Sequence, residues 1–185
     1  TSYYKDNITK IKNSFIYMSD ISRGFSILLD CLIYMQKKIP NISLIVFRNH
    51  EFTDEIKHKI KLLNNCTSYS KMPQQFIAQQ CLLSEYFFYP TNFHETFCNC
   101  AAEAQLYKCV CIYNPIGALT STIHDRGLSI PYDINDINYI ENTSTDVLQL
   151  MNDESRKNDF IKRGHLWAKS LDIKIIKQIW LDLFL

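Results

Sequence analysis

Short runs of apolar residues recur along the chain and are separated by longer amphipathic segments. Weak strand candidates lie at 66–68 and 127–130, where the apolar signal is brief. The stronger runs are continuous, as is typical of strands buried on both faces of a parallel sheet. They span 14–18, 42–47, 86–89 and 109–113.

The segments between the runs have helical spacing. From Arg23 onward, apolar residues recur three or four positions apart, which predicts an amphipathic helix. Similar patterns predict helices at 53–63, from Pro73 to Leu83, from Thr96, and over a short segment that ends near His124. Beyond the last strand candidate the pattern is mainly helical, with predicted core anchors at Trp167, Ile176, Trp180 and Leu183.

Strand and helix patterns alternate along the whole chain, without an internal repeat or a low-complexity linker. Such alternation predicts an α/β fold in which helices cover both faces of a parallel sheet, that is, a Rossmann-like doubly wound sheet. We assign 1–13 to a polar lead-in and 14–185 to one domain that includes the C-terminal helices.

The segment from Tyr89 to Ala104 stands out within this pattern. The apolar run stops at Pro90, a polar loop follows, and a helix is predicted to begin near Thr96. In an open α/β sheet, the loop after a strand and the next helix N-terminus form a crevice whose exposed amides attract anions.

Two glutamates mark this crevice, Glu95 before the predicted helix and Glu103 two turns into it. Eight helical residues rise ~12 Å, about the reach from a sugar across a diphosphate to a ribose. Each carboxylate could then accept hydrogen bonds from the hydroxyls at one end of such a ligand. A helical glutamate is more often solvated surface, although the small neighbours Ala101, Ala102 and Ala104 favour close packing. The spacing alone leaves both interpretations open.

Composition narrows the class of protein. A chain of 185 residues that is 46% hydrophobic and 21% charged is long enough for a globular domain with a substantial core. Its net charge of +1 gives no electrostatic reason to expect nucleic acid as a partner. No apolar run approaches the roughly 20 residues of a transmembrane segment, and no signal peptide is evident. We therefore expect a cytoplasmic protein. Thr1, instead of Met, suggests a piece of a longer polypeptide.

The seven cysteines are an odd set, which in a reducing compartment argues against a disulfide framework. Cys98 and Cys100 precede Cys109 and Cys111, and four nearby thiols raise the question of a metal site. Zinc sites usually have wider spacing within each cysteine pair. We therefore expect no metal and interpret these residues as buried free thiols.

Four sequence blocks, in a fixed order, resemble the C-terminal, nucleotide-sugar-binding domain of GT-B-fold glycosyltransferases of the group 1, retaining kind. Together they cover nearly the whole chain. A Glu-x7-Glu motif alone is a weak signal, but four blocks at family spacing are a strong one. They are Phe15–Ser19 with Ser22–Phe25, Pro40–Val46, Ser84–Pro90 with Glu95–Glu103, and Asn114–Leu119.

The resemblance implies a transferase that moves a hexose-type sugar from a nucleoside diphosphate sugar, of UDP, GDP or ADP type, to an acceptor. It implies that Glu95 is catalytic and faces the donor sugar, and that Glu103 binds the ribose hydroxyls. Arg23 occupies the position of the cation that neutralises the diphosphate. Because a cation and helix amides can stabilise the departing phosphate, no metal or other cofactor is implied. The remaining residues implied at the sugar and diphosphate are Ser19, Gly24, Thr96, Phe97 and Cys98.

Some positions depart from the family pattern. Met18 stands where many relatives have a second basic residue, so that Ser19 could supply a hydroxyl instead, and Cys98 stands where glycine is common. The nucleotide base would lie near 69–72, while His94 could face the donor sugar or be an ordinary loop histidine.

The resemblance also implies a partner, the N-terminal acceptor domain of the same protein, for which 185 residues leave no room. The isolated chain is then expected to bind nucleotide but to turn over little. Two alternatives stay open: a GT-B-type nucleotide-sugar epimerase domain, and a non-catalytic scaffold or interaction module derived from this fold.

Overall fold

The computed structural model describes residues 8–184, so residues 1–7 of the predicted lead-in and residue 185 lie outside the described part. These residues form a six-stranded sheet in the order β3-β2-β1-β4-β5-β6, and every neighbouring pair is parallel. The predicted doubly wound parallel sheet is confirmed. The strands are β1 Ile11–Tyr17, β2 Ser43–Phe47, β3 Cys66–Tyr69, β4 Ser84–Tyr89, β5 Val110–Tyr113 and β6 Gly127–Ser129.

Helices connect the strands and cover the sheet. The second of them begins after Thr53, whose hydroxyl accepts from the Ile56 backbone N–H at 3.3 Å, as expected of a threonine N-cap. The helices are α1 Phe25–Gln36, α2 Asp54–Leu62, α3 Gln74–Leu83, α4 Asn99–Leu106, α5 Leu119–Thr122, α6 Tyr139–Met151, α7 Glu154–Ser170 and α8 Ile173–Phe184. A 3-10 turn, His124–Arg126, precedes β6.

The core lies around β1 and β4, the two central strands. Phe15 and Tyr86 stack with ring centroids 4.9 Å apart, and Phe87 and Phe88 point to opposite faces of the sheet without exposure to solvent. The continuous apolar runs in the sequence are therefore explained by burial on both faces.

Three predicted boundaries or contacts were wrong. β1 begins at Ile11 and not at Ser14, because a register irregularity lets this polar stretch pair with β4. α4 begins at Asn99 and not near Thr96. Trp180 and Leu183, predicted as core anchors, are 59% and 71% exposed, because helix α8 turns its apolar face away from the core.

Membrane crossing was tested on the helices of residues 8–184. None of these helices has both the length and the apolar character that crossing a bilayer requires.

Candidate functional site

The sheet has its topological switch point between β1 and β4, which are neighbours although they are not consecutive strands. At such a point the connections leave in opposite directions and open a crevice beyond the carboxyl ends of the strands. Ser19, Arg23 and Gly24 follow β1, and Glu95 follows β4. The structure brings these four predicted residues together in the crevice.

Gly24 allows the two turns that form the crevice to touch. Its φ is +92°, and a Cβ at this position would lie 1.7 Å from the Pro90 carbonyl oxygen. An L side chain is disfavoured by both the backbone conformation and the lack of space. The turn is closed by a hydrogen bond from the Arg23 backbone N–H to the Asp20 carbonyl at 2.9 Å.

The Glu95 carboxylate is held in one orientation by two donors. Arg23 Nη1 lies 3.1 Å from Glu95 Oε1, and the Tyr89 hydroxyl donates to the same oxygen at 2.6 Å. Ser19 in turn donates to the Tyr89 hydroxyl at 3.0 Å. Burial, aided by the hydrogen bond to Glu95, raises the pKa of Tyr89, so the phenol keeps its proton. The Glu95 side chain is 10% exposed.

The Arg23 guanidinium has a second support, since it lies over the Phe93 ring at 3.7 Å from the centroid. A cation–π contact of this kind contributes about 0.5–2 kcal/mol of stabilisation, and the contribution is larger where water is excluded. The side chain is still 34% exposed. Arg23 is therefore fixed in place but remains accessible from the crevice.

The loop that carries Glu95 is clamped by the connection between β5 and α5. Gly117 has φ +54°, and a Cβ there would lie 2.9 Å from both the backbone N and the backbone O of Glu95. The Ala118 N–H donates to the Glu95 carbonyl at 2.9 Å, and the Thr122 hydroxyl donates to the Phe97 carbonyl. The predicted turn at Asn114–Leu119 thus orders the loop.

Cys98 is the residue that joins this loop to α4. Its φ of 68° and ψ of 76° are left-handed, and its side chain makes no capping hydrogen bond. The backbone N–H groups of Thr96, Phe97 and Cys98 donate to no backbone carbonyl of residues 8–184. Amides at the start of a helix that are free in this way can bind an anion.

We predict that Cys98→Gly leaves the free energy of unfolding within about 1 kcal/mol of wild type, because relief of the left-handed strain offsets the lost burial and the added chain entropy. Cys111→Gly is the matched control, since that buried thiol lies inside β5. Its free energy of unfolding, measured by urea denaturation, should be about 2–3 kcal/mol lower than that of wild type. Equal losses in both variants would mean that the strain at Cys98 is negligible.

Glu103 lies half-buried in the second turn of α4. Gln74, the first residue of α3, donates to Glu103 Oε1 at 3.0 Å. Burial raises the pKa of Glu103, and the hydrogen bond from Gln74 opposes this shift. The carboxylate is therefore oriented by a neutral partner and carries no paired cation in the contacts of residues 8–184.

Cys100, in the first turn of α4, contacts the residue that follows β1. Its thiol donates to the Met18 carbonyl at 3.0 Å. Burial, then the charges of Glu103 and Glu95, raises its pKa to about 11. The hydrogen bond to Met18 ties the first turn of α4 to the end of β1, so Glu103, on the same helix, is held relative to the crevice.

A cavity of about 820 Å³ continues from the crevice across the carboxyl ends of β1, β2 and β3. Ser70 to Met72, within the loop where the base was predicted, line it opposite Met18. Arg48 also lines this cavity and pairs with Glu51 at 2.5 Å, although no role for it was predicted from the sequence. Asp20 also lines it, and hydrogen bonds from Ser22 and Asn49 lower its pKa to about 2.

Four contacts of the site were missed in the sequence. Tyr89 ends a buried strand, and a tyrosine there could have been recognised by its polar tip. Phe93 and Gln74 have no local signal, since their partners are far away in sequence. Gly117 belongs to a recognised block, but its contact with Glu95 was not foreseen.

Within residues 8–184, no group of three or more His, Cys, Asp or Glu side chains is arranged to hold a metal ion. Cys98, Cys100, Cys109 and Cys111 are free thiols, three of them buried and Cys100 half-buried.

Neither protein-family models nor curated proteins match this sequence. Solved structures do match it. The pneumococcal O-GlcNAc transferase GtfA in complex with UDP and GlcNAc is 16% identical, with a TM-score of 0.79, over 94% of this chain and 35% of that chain. WaaG, a glycosyltransferase involved in lipopolysaccharide biosynthesis, is 14% identical, with a TM-score of 0.71, over 90% of this chain and 45% of that chain.

The C-terminal domain of a group 1 family glycosyl transferase, LpcC from Francisella tularensis, is 17% identical, with a TM-score of 0.71, over 89% of this chain and 87% of that domain. The chain thus spans less than half the length of GtfA and WaaG, but nearly the whole of the LpcC domain. At these identities the likeness is one of fold. Residues 8–184 have the Rossmann-like α/β fold of a glycosyltransferase C-terminal domain.

Proposed function

We propose that the crevice between β1 and β4 binds a nucleoside diphosphate sugar, and that this chain is the donor-binding part of a retaining glycosyltransferase of the GT-B fold. The observation that carries the proposal is the Arg23–Glu95 ion pair in the same loop as the free amides that precede α4, the helix that also carries Glu103. A cation, amides and two carboxylates are the groups that a diphosphate between two sugars requires.

Glu103 would bind the ribose. A carboxylate can accept from both hydroxyls of a ribose, and Gln74 already holds one of its oxygens at 3.0 Å. The other oxygen of Glu103 is then directed to the ligand. The cavity of about 820 Å³, which Ile77 of the same helix α3 helps to line, offers room for the base, and Met72 and Ile77 are suited to contact with an aromatic ring.

Arg23 and the amides of Thr96, Phe97 and Cys98 would bind the diphosphate. As the bond between sugar and phosphate breaks, negative charge builds on the departing diphosphate, and fixed donors stabilise it. The ion pair with Glu95 holds Arg23 in position before the ligand arrives. Glu95 would face the donor sugar and serve as the catalytic carboxylate, and no metal takes part in this scheme.

The acceptor would be bound elsewhere. GtfA and WaaG are more than twice as long as the part that this chain matches. We propose that an N-terminal domain of the same protein supplies the acceptor site. The donor sugar in this scheme is a hexose.

Glu103→Ala should weaken nucleotide binding about tenfold or more, because loss of a charge-assisted hydrogen bond costs roughly 1.5–3 kcal/mol. Calorimetric titration with UDP, GDP, ADP and their sugars would measure this. Gln74→Ala should weaken binding by a smaller factor, since it only loosens the carboxylate. Glu141→Ala is the control, as Glu141 is an exposed helical glutamate on α6, and it should bind as wild type does.

Affinity should also fall on acidification. Ribose hydroxyls donate to the ionised form of Glu103, and burial raises the pKa of this group above its ordinary value of 4.5. The loss should therefore begin at a higher pH than for an exposed glutamate and be absent in Glu103→Ala. Nucleotide binding that is unchanged by Glu103→Ala would contradict the assignment of Glu103 to the ribose. Nucleotide binding with epimerisation, but without transfer, by the longer protein would favour an epimerase.

A further inference from the structure

A second cluster of reactive side chains lies at the amino-terminal edge of the sheet, opposite to the crevice. Cys81, near the end of α3, and Cys109, which precedes β5, have their sulfur atoms 3.7 Å apart. Cys81 has no exposed surface and Cys109 is 3% exposed. The donor-binding proposal makes no use of either residue.

Lys10 places a positive charge beside this pair. Its ammonium donates to the carbonyls of Ser84 and Tyr107, both at 2.7 Å, and to that of Cys81 at 3.1 Å. It also lies 3.7 Å from Cys109 Sγ. Three carbonyls therefore hold the ammonium of the half-buried lysine next to one thiol of the pair.

The two thiols are made unequal by this arrangement. The hydrogen bond from Cys81, and then the charge of Lys10, lowers the pKa of Cys109, while that of Cys81 is raised. An isolated buried thiol behaves differently: burial raises the pKa of Cys31 to about 12 and that of Cys66 to about 11. Cys109 Sγ also donates to the Cys81 carbonyl at 3.2 Å and to the Ser84 carbonyl at 3.4 Å, so the Cys109 thiol must first release its proton. Its thiolate is then held beside Lys10 and next to a protonated thiol, the arrangement that disulfide exchange requires.

We propose that Cys81 and Cys109 form a reversible dithiol–disulfide site that is oxidised by small-molecule disulfides of the glutathione type. The Cys109 thiolate attacks one sulfur of the small disulfide, forms a mixed disulfide and releases one small thiolate. Cys81 passes its proton to that thiolate and attacks Cys109 Sγ, which releases the second small thiolate. This thiolate takes up a proton from water, equivalent to the one that Cys109 gave up. Two protein thiols are oxidised and one small disulfide is reduced.

The geometry requires two movements. Because Cys109 is 3% exposed, the surrounding chain must first open locally so that a small disulfide can reach Cys109 Sγ. A disulfide bond is about 2.05 Å long, so the sulfurs must approach by roughly 1.7 Å. The bond would tie the C-terminal end of α3 to the start of β5. Because α3 begins at Gln74, which holds Glu103, the bond would also fix the helix that supports the crevice.

The test incubates the chain in anaerobic glutathione buffers of increasing oxidised fraction, followed by acid quench, alkylation and peptide mass analysis. The expected product has lost two of the seven alkylatable thiols and contains a peptide that links Cys81 to Cys109. Cys66→Ser, which removes a thiol outside the pair, should form the same product. Cys81→Ser should stop at a mixed disulfide on Cys109. The oxidised chain should melt several degrees higher.

Lys10 gives the sharper criterion. Lys10→Met should slow formation of the linked peptide about fivefold or more, and Lys10→Arg should restore much of the rate, because the cation stabilises the thiolate. If Lys10→Met does not fold, the rate on the wild-type chain should level off at a lower pH than an ordinary thiol with a pKa of 9.0 would give. A linked peptide that forms only after addition of urea, or a rate independent of both Lys10 and pH, would overturn the proposal.

Discussion

Gly24→Ala is expected to lower the free energy of unfolding by about 4 kcal/mol, among the largest effects of a single methyl group. The added Cβ would lie 1.7 Å from the Pro90 carbonyl oxygen, and the φ of +92° is unfavourable for alanine. Both effects can be relieved only if the turn after β1 moves away from the turn after β4. Urea denaturation followed by circular dichroism would measure the loss.

Gly164→Ala in α7 is the matched control for this substitution. The three atoms nearest to its Cβ would all belong to the Gln105 side chain, the closest at 3.2 Å, and its φ is not positive. Alanine also favours the helix, so the change should stay within about 1 kcal/mol. Equal stability of the two variants would contradict the close contact between the turn after β1 and the turn after β4.

The Gly24→Ala substitution should also weaken ligand binding in the crevice. Arg23 immediately precedes Gly24, so a displaced turn carries the guanidinium away from Glu95 and from the Phe93 ring. Nucleotide binding by folded Gly24→Ala should then be at least as weak as binding by Arg23→Ala. Stability and ligand binding are coupled here because one glycine allows the turns after β1 and β4 to touch.

The fold was predictable because its physical causes are local. Each buried strand gives a continuous apolar run, and each covering helix gives spacing of three or four, so their alternation already indicates a parallel sheet. The failure at α8 has the same origin. An amphipathic pattern shows that Trp180 and Leu183 share an apolar face, but not what that face packs against.

The site was predictable only in part. Arg23, Gly24 and Glu95 lie in recognisable blocks, and the switch point brings those blocks together. The pairing of Gln74 with Glu103 depends on how α3 and α4 are placed, which no local pattern encodes. The left-handed backbone at Cys98 was also hidden, because glycine, the usual sign of such a conformation, is absent there.

A buried ion cluster holds α7 against the sheet, far from the crevice. Lys157 is 3% exposed and donates to Glu85 at 3.1 Å, to Glu154 at 2.7 Å and to the Met151 carbonyl at 3.2 Å. The other oxygen of Glu85 accepts from the Asn13 backbone N–H at 2.7 Å. The cluster therefore joins α7, β4 and β1, the strand from which Arg23 follows.

Lys157→Met should cost about 3–5 kcal/mol in urea denaturation, because it leaves the Glu85 carboxylate buried without its cation. Adding Glu85→Gln should recover a large part of this loss, since the second substitution removes the unpaired charge. Lys162→Met, at an exposed position of α7, should change stability by less than about 0.5 kcal/mol. A double variant less stable than Lys157→Met would contradict the assignment of the loss to Glu85 and would attribute it to packing of the lysine stem instead.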